Sequence, residues 1–217
     1  MIIFPPRPKG KMLWTDLPYY EKTGLYVAQR KFRGSNSVLN ISKNRKIILG
    51  NRHGREFANF KLSKDYQDEI LSSLRLKPNT EYWFNGEIMN KDENAKNEII
   101  FFDILQEGRY FFQNPDQMKR LEILKEICND PKELSEDKIA LQISSRLLLA
   151  ETFEKDFVFH FKEAYPIKRL EGLVLKKKKS CLDNFGHKEY ETSNSIRCRK
   201  PFSIETPKDQ RSGGYEF

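Results

Sequence analysis

The hydrophobic positions of this chain follow two different periods, and each period predicts a different kind of element. Apolar residues at helical spacing predict helices over residues 62–76 and 115–129, the second capped by Asn114 with Pro115 at its first position. Residues 25–39 are mixed apolar and polar around a glycine, which predicts strand, turn and strand. Short apolar runs bounded by polar turns predict further strands at residues 44–50, 82–89, 98–105 and 172–177.

The order of these elements is mixed, and their connections have the length of hairpins. This pattern predicts an α+β fold of antiparallel sheets with flanking helices. Residues 139–161 are expected to be helical in part. The first 20 residues, rich in proline and aromatic residues, are interpreted as an extended arm, residues 21–205 as the domain itself, and residues 206–217 as a polar tail.

Length and composition describe one globular domain with a heavily ionised surface. The chain has 217 residues, of which 38% are hydrophobic and 32% charged. No apolar run approaches the roughly 18 residues of a membrane helix, and the first residues lack the pattern of a signal peptide. An odd number of cysteines without a CxxC pair (Cys128, Cys181 and Cys198) argues against a disulfide framework or a zinc site. We therefore expect a cytoplasmic protein with no membrane partner.

The net charge of the chain is strongly positive. Lysine and arginine number 39 against 31 acidic residues, which gives a formal charge of +8 and an isoelectric point near 9.2. Such a charge suits a polyanionic partner such as nucleic acid, although many basic proteins bind none.

The segment that carries most chemistry is residues 29–36 (QRKFRGSN), where a lysine precedes a glycine turn and is flanked by arginines. The glycine lets the backbone approach a ligand closely, and a lysine amine can act as a nucleophile. The KxxG pattern alone does not separate a nucleophile from a basic hairpin whose lysines are solvated.

Further motifs follow in a fixed order, and together they resemble the covalent nucleotidyltransferases, which include DNA ligases, RNA ligases and mRNA capping enzymes. Residues 31–36 resemble motif I of that superfamily, and the resemblance extends to residue 200. Residues 51–54 (NRHG) are similar to the arginine-bearing loop that follows motif I, and residues 84–88 (FNGEI) are similar to motif III. Residues 100–105 (IFFDIL) are similar to motif IIIa, residues 170–176 (LEGLVLK) to motif IV, and residues 195–200 (SIRCRK) to motif V.

The resemblance implies a nucleotidyltransferase domain, similar to ATP-grasp proteins, and a role for each matched residue. Lys31 would attack ATP and form lysyl-AMP, while Glu87 and Glu171 would hold Mg²⁺ or Mn²⁺. Phe102 would stack on adenine, and Gln29 would read the base. The residues that would bind or neutralise the phosphates are Arg33, Gly34, Arg52, Lys176, Arg197, Arg199 and Lys200.

The sequence departs from the family pattern in two respects. Motif V normally carries KxK, but here Arg197 and Arg199 stand at the matching positions, unless Lys200 makes the contact. Arginine keeps the charge but cannot supply a proton at neutral pH. Only 17 residues follow Lys200 in the chain of 217, too few for the OB-fold that follows this domain in most DNA ligases. The protein could work without that fold, a separate protein could supply it, or the chain could perform only some of the steps.

The resemblance implies an ATP-dependent polynucleotide ligase, which joins a 3′-OH to a 5′-phosphate through lysyl-AMP and an adenylylated 5′ end. The substrate that it favours is nicked or broken RNA, with DNA as the alternative. Ser35 and Asn36 resemble the KxxG[ST]N of phage-type RNA ligases that seal nicks, and the residues around Cys198 fit the same enzymes. The loop at 51–54, followed by Phe57, is more typical of DNA ligases. An mRNA capping enzyme is a third possibility. A protein of another class, which binds nucleic-acid ends but has lost catalysis, would also explain the arginines of motif V.

Overall fold

A computed structural model of the chain describes residues 3–57, 60–91, 97–111, 114–182 and 189–201. The strands in these residues are β1 Arg7–Met12, β2 Tyr26–Phe32, β3 Ser35–Ile41, β4 Ile47–Asn51, β5 Tyr82–Ile88, β6 Ile99–Glu107, β7 Arg109–Tyr110, β8 Leu141–Gln142, β9 Leu147–Leu149, β10 Thr152–Phe153, β11 Leu170–Lys177 and β12 Glu191–Arg199. The α-helices are α1 Leu17–Lys22, α2 Lys64–Ser73, α3 Gln117–Ile127 and α4 Phe157–Ala164. The predicted tail at 206–217 lies outside the described residues.

Two β-sheets form the scaffold. Sheet A has the strand order β1-β12-β11-β2-β10, and sheet B has the order β4-β3-β5-β6-β9-β8 with β7 paired to β6. The α+β fold is confirmed, and most neighbouring strands are antiparallel. Two pairs are parallel, β1 with β12 and β6 with β9. All strands of sheet B come from residues 35–149, whereas sheet A combines strands from both flanks of that segment.

Helices cover one face of each sheet. Ile70 of α2 and Leu124 of α3 are fully buried in a hydrophobic cluster with Phe101 of β6. Leu17 of α1 and Phe161 of α4 pack in a second cluster against the strands of sheet A. Burial of each such side chain contributes about 1.5–3 kcal/mol to folding. No helix in the described part of the chain is long and apolar enough to span a bilayer.

The two helices predicted from apolar spacing are confirmed, with one correction at a helix start. Helix α3 begins two residues after Pro115, and its N-cap is Asp116 rather than Asn114. The Asp116 side chain accepts a hydrogen bond from the backbone N–H of Lys119 at 3.0 Å, which satisfies one of the free donors of the first turn.

Two other segments differ from the prediction. Within residues 139–161, the helix begins only at Phe157, and the preceding residues form β8, β9 and β10. The apolar run Leu147–Leu149 pairs beside β6 in the core, and periodicity cannot separate such a short buried strand from a helix. Within the first 20 residues, Arg7–Met12 forms the edge strand of sheet A, and α1 begins at Leu17.

Candidate active site

A cavity of about 510 Å³ is lined by residues from both sheets. This volume is within the usual range for small-molecule sites, about 300–1,000 Å³. Strands β2, β11 and β12 contribute from sheet A, and β3, β5 and β6 contribute from sheet B. The cavity brings together ten of the residues that the sequence singles out: Gln29, Lys31, Gly34, Arg52, Glu87, Phe102, Glu171, Lys176, Arg197 and Arg199.

Arg33 and Lys200 are not among the residues that line this cavity. Arg33 is exposed at the turn between β2 and β3. Lys200 follows the last residue of β12, and its Nζ donates to the carbonyl oxygen of Ile167 at 2.8 Å. Arg199 lines the cavity and lies 3.4 Å from Glu171, so the geometry favours Arg199 over Lys200 as the cavity cation.

Lys31 and Glu171 form the closest charged contact in the cavity. Lys31 lies on β2 opposite Gly172 of β11, and its Nζ is 2.5 Å from Glu171 Oε2. The register shifts between Leu170 and Gly172, and Gly172 has a φ of +127°. A Cβ at Gly172 would lie 2.1 Å from the carbonyl oxygen of Cys198, so only glycine fits. The glycine of motif IV thus allows Glu171 to lie beside Lys31.

The charges around Glu171 favour its ionised form. Burial opposes ionisation, but the ammonium of Lys31 and the guanidinium of Arg199 outweigh it and lower the pKa of Glu171. Arg199 lies 3.4 Å from the Glu171 Oε2 atom that also contacts Lys31. One carboxylate therefore holds two cations at the same edge of the cavity.

Glu87 enters the cavity from the opposite sheet. Its Oε1 accepts a hydrogen bond from the backbone N–H of Gly34 at 3.0 Å. A Cβ at Gly34 would lie 2.3 Å from the carbonyl oxygen of Ile88, so the turn after Lys31 can approach β5 only because residue 34 is glycine. Burial raises the pKa of Glu87 to about 7, although the positive charge of Lys31 acts in the opposite direction.

The acidic residues of the cavity, Glu87 and Glu171, fit a metal site that is completed by a substrate. They do not fit a metal site that is made of protein ligands alone. The described residues contain no group of three or more His, Cys, Asp or Glu that could hold a metal ion. Glu87 and Glu171 both line the cavity, one from each sheet. Mg²⁺ is commonly bound by one or two carboxylates together with water and substrate phosphates, and these two carboxylates fit that pattern.

A buried ion pair lies at the inner end of the cavity, and sequence reasoning missed it. Arg120 of α3 donates from Nε to Asp103 Oδ1 at 3.0 Å and from its second terminal nitrogen to Gln117 Oε1 at 2.8 Å. Arg120 is 2% exposed and Asp103 3% exposed. The signal that could have revealed it is a charged residue on the apolar face of a predicted helix, since Arg120 stands one turn before Leu124.

Lys176 lies beside this ion pair. The Lys176 Nζ donates to the carbonyl oxygen of Phe102 at 2.8 Å and lies 4.0 Å from Asp103 Oδ2. Burial lowers the pKa of Lys176 to about 8, Asp103 raises it, and Arg120 lowers it further. The Lys176 side chain is therefore protonated at neutral pH and loses its charge as the pH rises above about 8.

The adjacent phenylalanines of β6 face opposite sides, as the period of a strand predicts. Phe101 is fully buried and stacks on Phe84 at a centroid distance of 4.7 Å. Phe102 lines the cavity, and Lys176 Nζ lies 4.9 Å from its ring centroid. Gln29, on β2, donates from Nε2 to Thr152 Oγ1 at 3.1 Å. Its Oε1 has no hydrogen-bond partner within the described residues.

A chain of charged side chains connects the two sheets at one end of the cavity. Glu189 accepts from Arg7 at 3.1 Å and contacts His53 Nδ1 at 2.6 Å, while Arg52 donates from Nε to His53 Nε2 at 3.1 Å. Burial and the neighbouring guanidinium groups lower the pKa of Arg197. The sequence does not single out Arg7, because the first 20 residues are interpreted there as an arm. Its signal is the Pro-Arg-Pro pattern at residues 6–8, where β1 begins.

Ser35 and Asn36 link strands of sheet B. Asn36 donates from Nδ2 to Asn85 Oδ1 and to the carbonyl oxygen of Gly86, both at 3.0 Å. Ser35 Oγ donates to Asn90 Oδ1 at 3.0 Å. Both residues also line the cavity, where they shape the wall formed by β3 and β5.

Comparison with known proteins identifies the fold through structure rather than sequence. No protein-family model matches the chain, and no curated protein matches it in sequence. The ligase domain of LigD from M. tuberculosis is similar, with a TM-score of 0.58, 14% sequence identity, and coverage of 89% of this chain and 58% of that one. A mycobacterial DNA ligase D complexed with ATP and MES has a TM-score of 0.60, 12% identity, and coverage of 91% and 60%.

A third similar structure, Pmar-Lig_Pre, has a TM-score of 0.59 and 16% identity, with coverage of 92% of this chain and 47% of that chain. The chain thus spans between 47% and 60% of the length of these three proteins. Nearly all of the chain is matched, and the matched part carries the two-sheet architecture. The chain has the fold of the matched part of these ligase structures.

Proposed function

We propose that this protein is an ATP-dependent polynucleotide ligase that forms a covalent AMP adduct on Lys31. The observation that carries this proposal is the contact of Lys31 Nζ with Glu171 Oε2 at 2.5 Å, inside a cavity that Glu87 enters from the other sheet. A lysine amine held in position beside cations and carboxylates is the arrangement that attack on a nucleotide phosphate requires.

In the proposed first step, the deprotonated Lys31 Nζ attacks the α-phosphorus of ATP. A P–N bond forms, the bond from the α-phosphorus to the bridging oxygen breaks, and pyrophosphate leaves. The amine proton passes to solvent or to Glu171, the nearest carboxylate. In the second step a 5′-phosphate takes the AMP, and in the third a 3′-OH displaces it, which leaves a phosphodiester bond and free AMP.

The other residues of the cavity support these transfers by charge and by shape. Arg52, Arg197 and Arg199 would neutralise the phosphates, while Glu87 and Glu171 would hold Mg²⁺, which would supply further positive charge when bound. The unpaired Oε1 of Gln29 could accept a hydrogen bond from the amino group of adenine, a donor that guanine lacks at that position.

Labelling with radioactive nucleotide tests the proposal directly. The purified chain is incubated with magnesium and with ATP or GTP labelled at the α-phosphate, and is then denatured. We expect label from ATP to remain on the protein and to be lost when the metal is chelated before the reaction. Labelling by GTP in preference to ATP would indicate a capping-type enzyme, and no label from either nucleotide would refute the proposal.

A matched pair of substitutions on β6 tests the role of Phe102. Replacing Phe102 with alanine should raise the ATP concentration for half-maximal adduct formation about tenfold, because base stacking on an aromatic ring contributes about 1–3 kcal/mol. Replacing Phe101, which faces the core, should instead lower the free energy of unfolding by about 3–5 kcal/mol. The two variants are compared by nucleotide titration and urea unfolding. Equal effects of both on nucleotide use would contradict the assignment.

We propose RNA as the preferred substrate on the resemblance of Ser35 and Asn36 to RNA ligases. A DNA nick ligase is the second candidate, because the similar structures are DNA ligases and the loop at 51–54 fits them. Sealing of matched nicked duplexes, with either RNA or DNA on the 3′-OH side, separates the two. Tight binding of nucleic-acid ends without any adduct would support the third candidate, an end-binding protein without catalysis.

A further inference from the structure

A second surface feature lies outside the cavity, on the helical side of sheet A. Trp14 is 43% exposed and Tyr165 is 53% exposed, although both are large aromatic residues. The buried ring of Phe161 connects them: it stacks on Trp14 at 6.5 Å with an interplanar angle of 12° and contacts Tyr165 at 6.4 Å. We name Trp14, Phe161 and Tyr165, with the exposed Leu13, the aromatic strip.

The aromatic strip is adjacent to the candidate active site. Lys200 lies with its Nζ 5.9 Å from the centroid of the Tyr165 ring, while the preceding residue, Arg199, faces the cavity and lies 3.4 Å from Glu171. Glu171 in turn contacts Lys31. Arg199, the last residue of β12, therefore lies beside the Glu171–Lys31 contact, and the next residue, Lys200, lies beside the aromatic strip.

The charge and size of the strip fit a particular partner. Lys162 is exposed one helical turn before Tyr165, so cations lie beside the rings on α4 and at the end of β12. Unpaired nucleic acid binds proteins by stacking its bases on exposed aromatic rings while lysine and arginine follow the phosphates. A stable protein partner usually buries about 800 Å² on each side, which a strip of three exposed residues does not provide.

We propose that the aromatic strip binds an unpaired stretch of nucleic acid next to the end that is joined in the cavity. Bases stack on Trp14 and Tyr165, and Lys200 contacts a phosphate of the same strand. From there the strand continues towards Arg199 and the cavity. This inference rests on the proposed function for its polynucleotide, but it concerns a surface whose residues do not line the cavity. The protein consequently favours ends with a single-stranded overhang over fully paired ends.

Binding to a short oligonucleotide, without ATP and in the presence of a chelator, tests the strip independently of catalysis. The chain has two tryptophans, and Trp83 is only 8% exposed, so quenching by the ligand reports chiefly on Trp14. We expect a 12-nucleotide single strand to quench the tryptophan fluorescence of the wild-type chain. We also expect Trp14→Ala and Tyr165→Ala each to weaken binding about tenfold, measured by the anisotropy of a labelled oligonucleotide.

Phe159→Ala is the matched control, because Phe159 is 58% exposed on the same helix and its ring pairs with His160, which is not part of the aromatic strip. Its affinity for the oligonucleotide should equal that of the wild type. Unchanged binding by both strip variants, or an equal loss in the control, would overturn the inference. Labelling of Lys31 is measured in parallel: strip variants should keep it, and its absence in every variant would refute the ligase proposal while leaving the strip result intact.

Discussion

Replacing Lys31 with alanine is expected to reduce the covalent nucleotide adduct to background, a loss of at least about a thousandfold. No other amine in the described residues is placed like this one, since Lys31 Nζ contacts Glu171 and lies on β2 opposite the motif IV glycine. The measurement is the amount of α-labelled ATP that remains on the denatured protein. The variant should fold normally, because Lys31 is a partly exposed cavity residue rather than part of the core.

Lys155→Ala provides the control for this experiment, since Lys155 is exposed in the loop before α4 and is not among the cavity residues. It should be labelled as strongly as the wild-type chain. An adduct that persisted in Lys31→Ala would show that another lysine is the nucleophile. Mass spectrometry of the labelled peptide would then identify it.

Replacing Arg120 with methionine is expected to lower the free energy of unfolding by about 3 kcal/mol at pH 7. Breaking a buried ion pair by removing one partner typically costs about 3–5 kcal/mol, and here Lys176 remains 4.0 Å from Asp103 as a weaker partner. The measurement is urea unfolding. Adduct formation should also decrease, since Arg120, Asp103 and Lys176 all line the cavity.

The pH dependence distinguishes loss of the ion pair from loss of packing. Burial opposes ionisation of Asp103, but Arg120 and Lys176 outweigh it and lower the pKa of Asp103. The stability from this pair is therefore present above the unfolded pKa and is lost as the pH falls. Without Arg120 the pKa of Asp103 rises, so in the variant Asp103 becomes protonated, and less costly to bury, as the pH falls. The difference in free energy of unfolding between the variant and the wild type should therefore become smaller between pH 7 and pH 5. A constant difference would indicate packing alone.

Two further variants complete the comparison. Lys119→Met removes an exposed lysine of the same helix, whose pair with Glu122 lies at the surface, and should change stability by less than about 0.5 kcal/mol. Combining Arg120→Met with Asp103→Asn should recover part of the loss, because the buried charge is removed with its partner.

The parts of the fold and of the site that the sequence could predict are those with short-range signals. Helices α2 and α3 follow from apolar spacing, and the strand containing Phe101 and Phe102 follows from its apolar run. The motif pattern placed Lys31 and Glu171 in one site, although they are 140 residues apart in the chain. The order of the motifs could place Lys31 and Glu171 together only because the resemblance implies a known fold. In that fold the segments that contain the two residues meet.

The remaining features depend on contacts that no local pattern contains. The Asp103–Arg120 pair joins a strand to a helix 17 residues later, and only the folded core shows that both charges are buried. Arg7 reaches the cavity because β1 pairs in parallel with β12, a long-range pairing. Arg199 lines the cavity because the register of β12 places it opposite Gly172 of β11, next to Glu171. Register is set by the whole sheet and not by the sequence SIRCRK.

The division of strands between the two sheets has a consequence for how the protein acquires its activity during synthesis. Sheet B can form once residue 149 has left the ribosome, whereas sheet A needs β11 and β12 at residues 170–199 to join β1 and β2 from the beginning of the chain. We expect a nascent chain halted before residue 170 to hold a folded central sheet with an incomplete edge and no capacity to accept a nucleotide. The candidate active site would then be completed only after β12 has been synthesised, when the two outer segments meet.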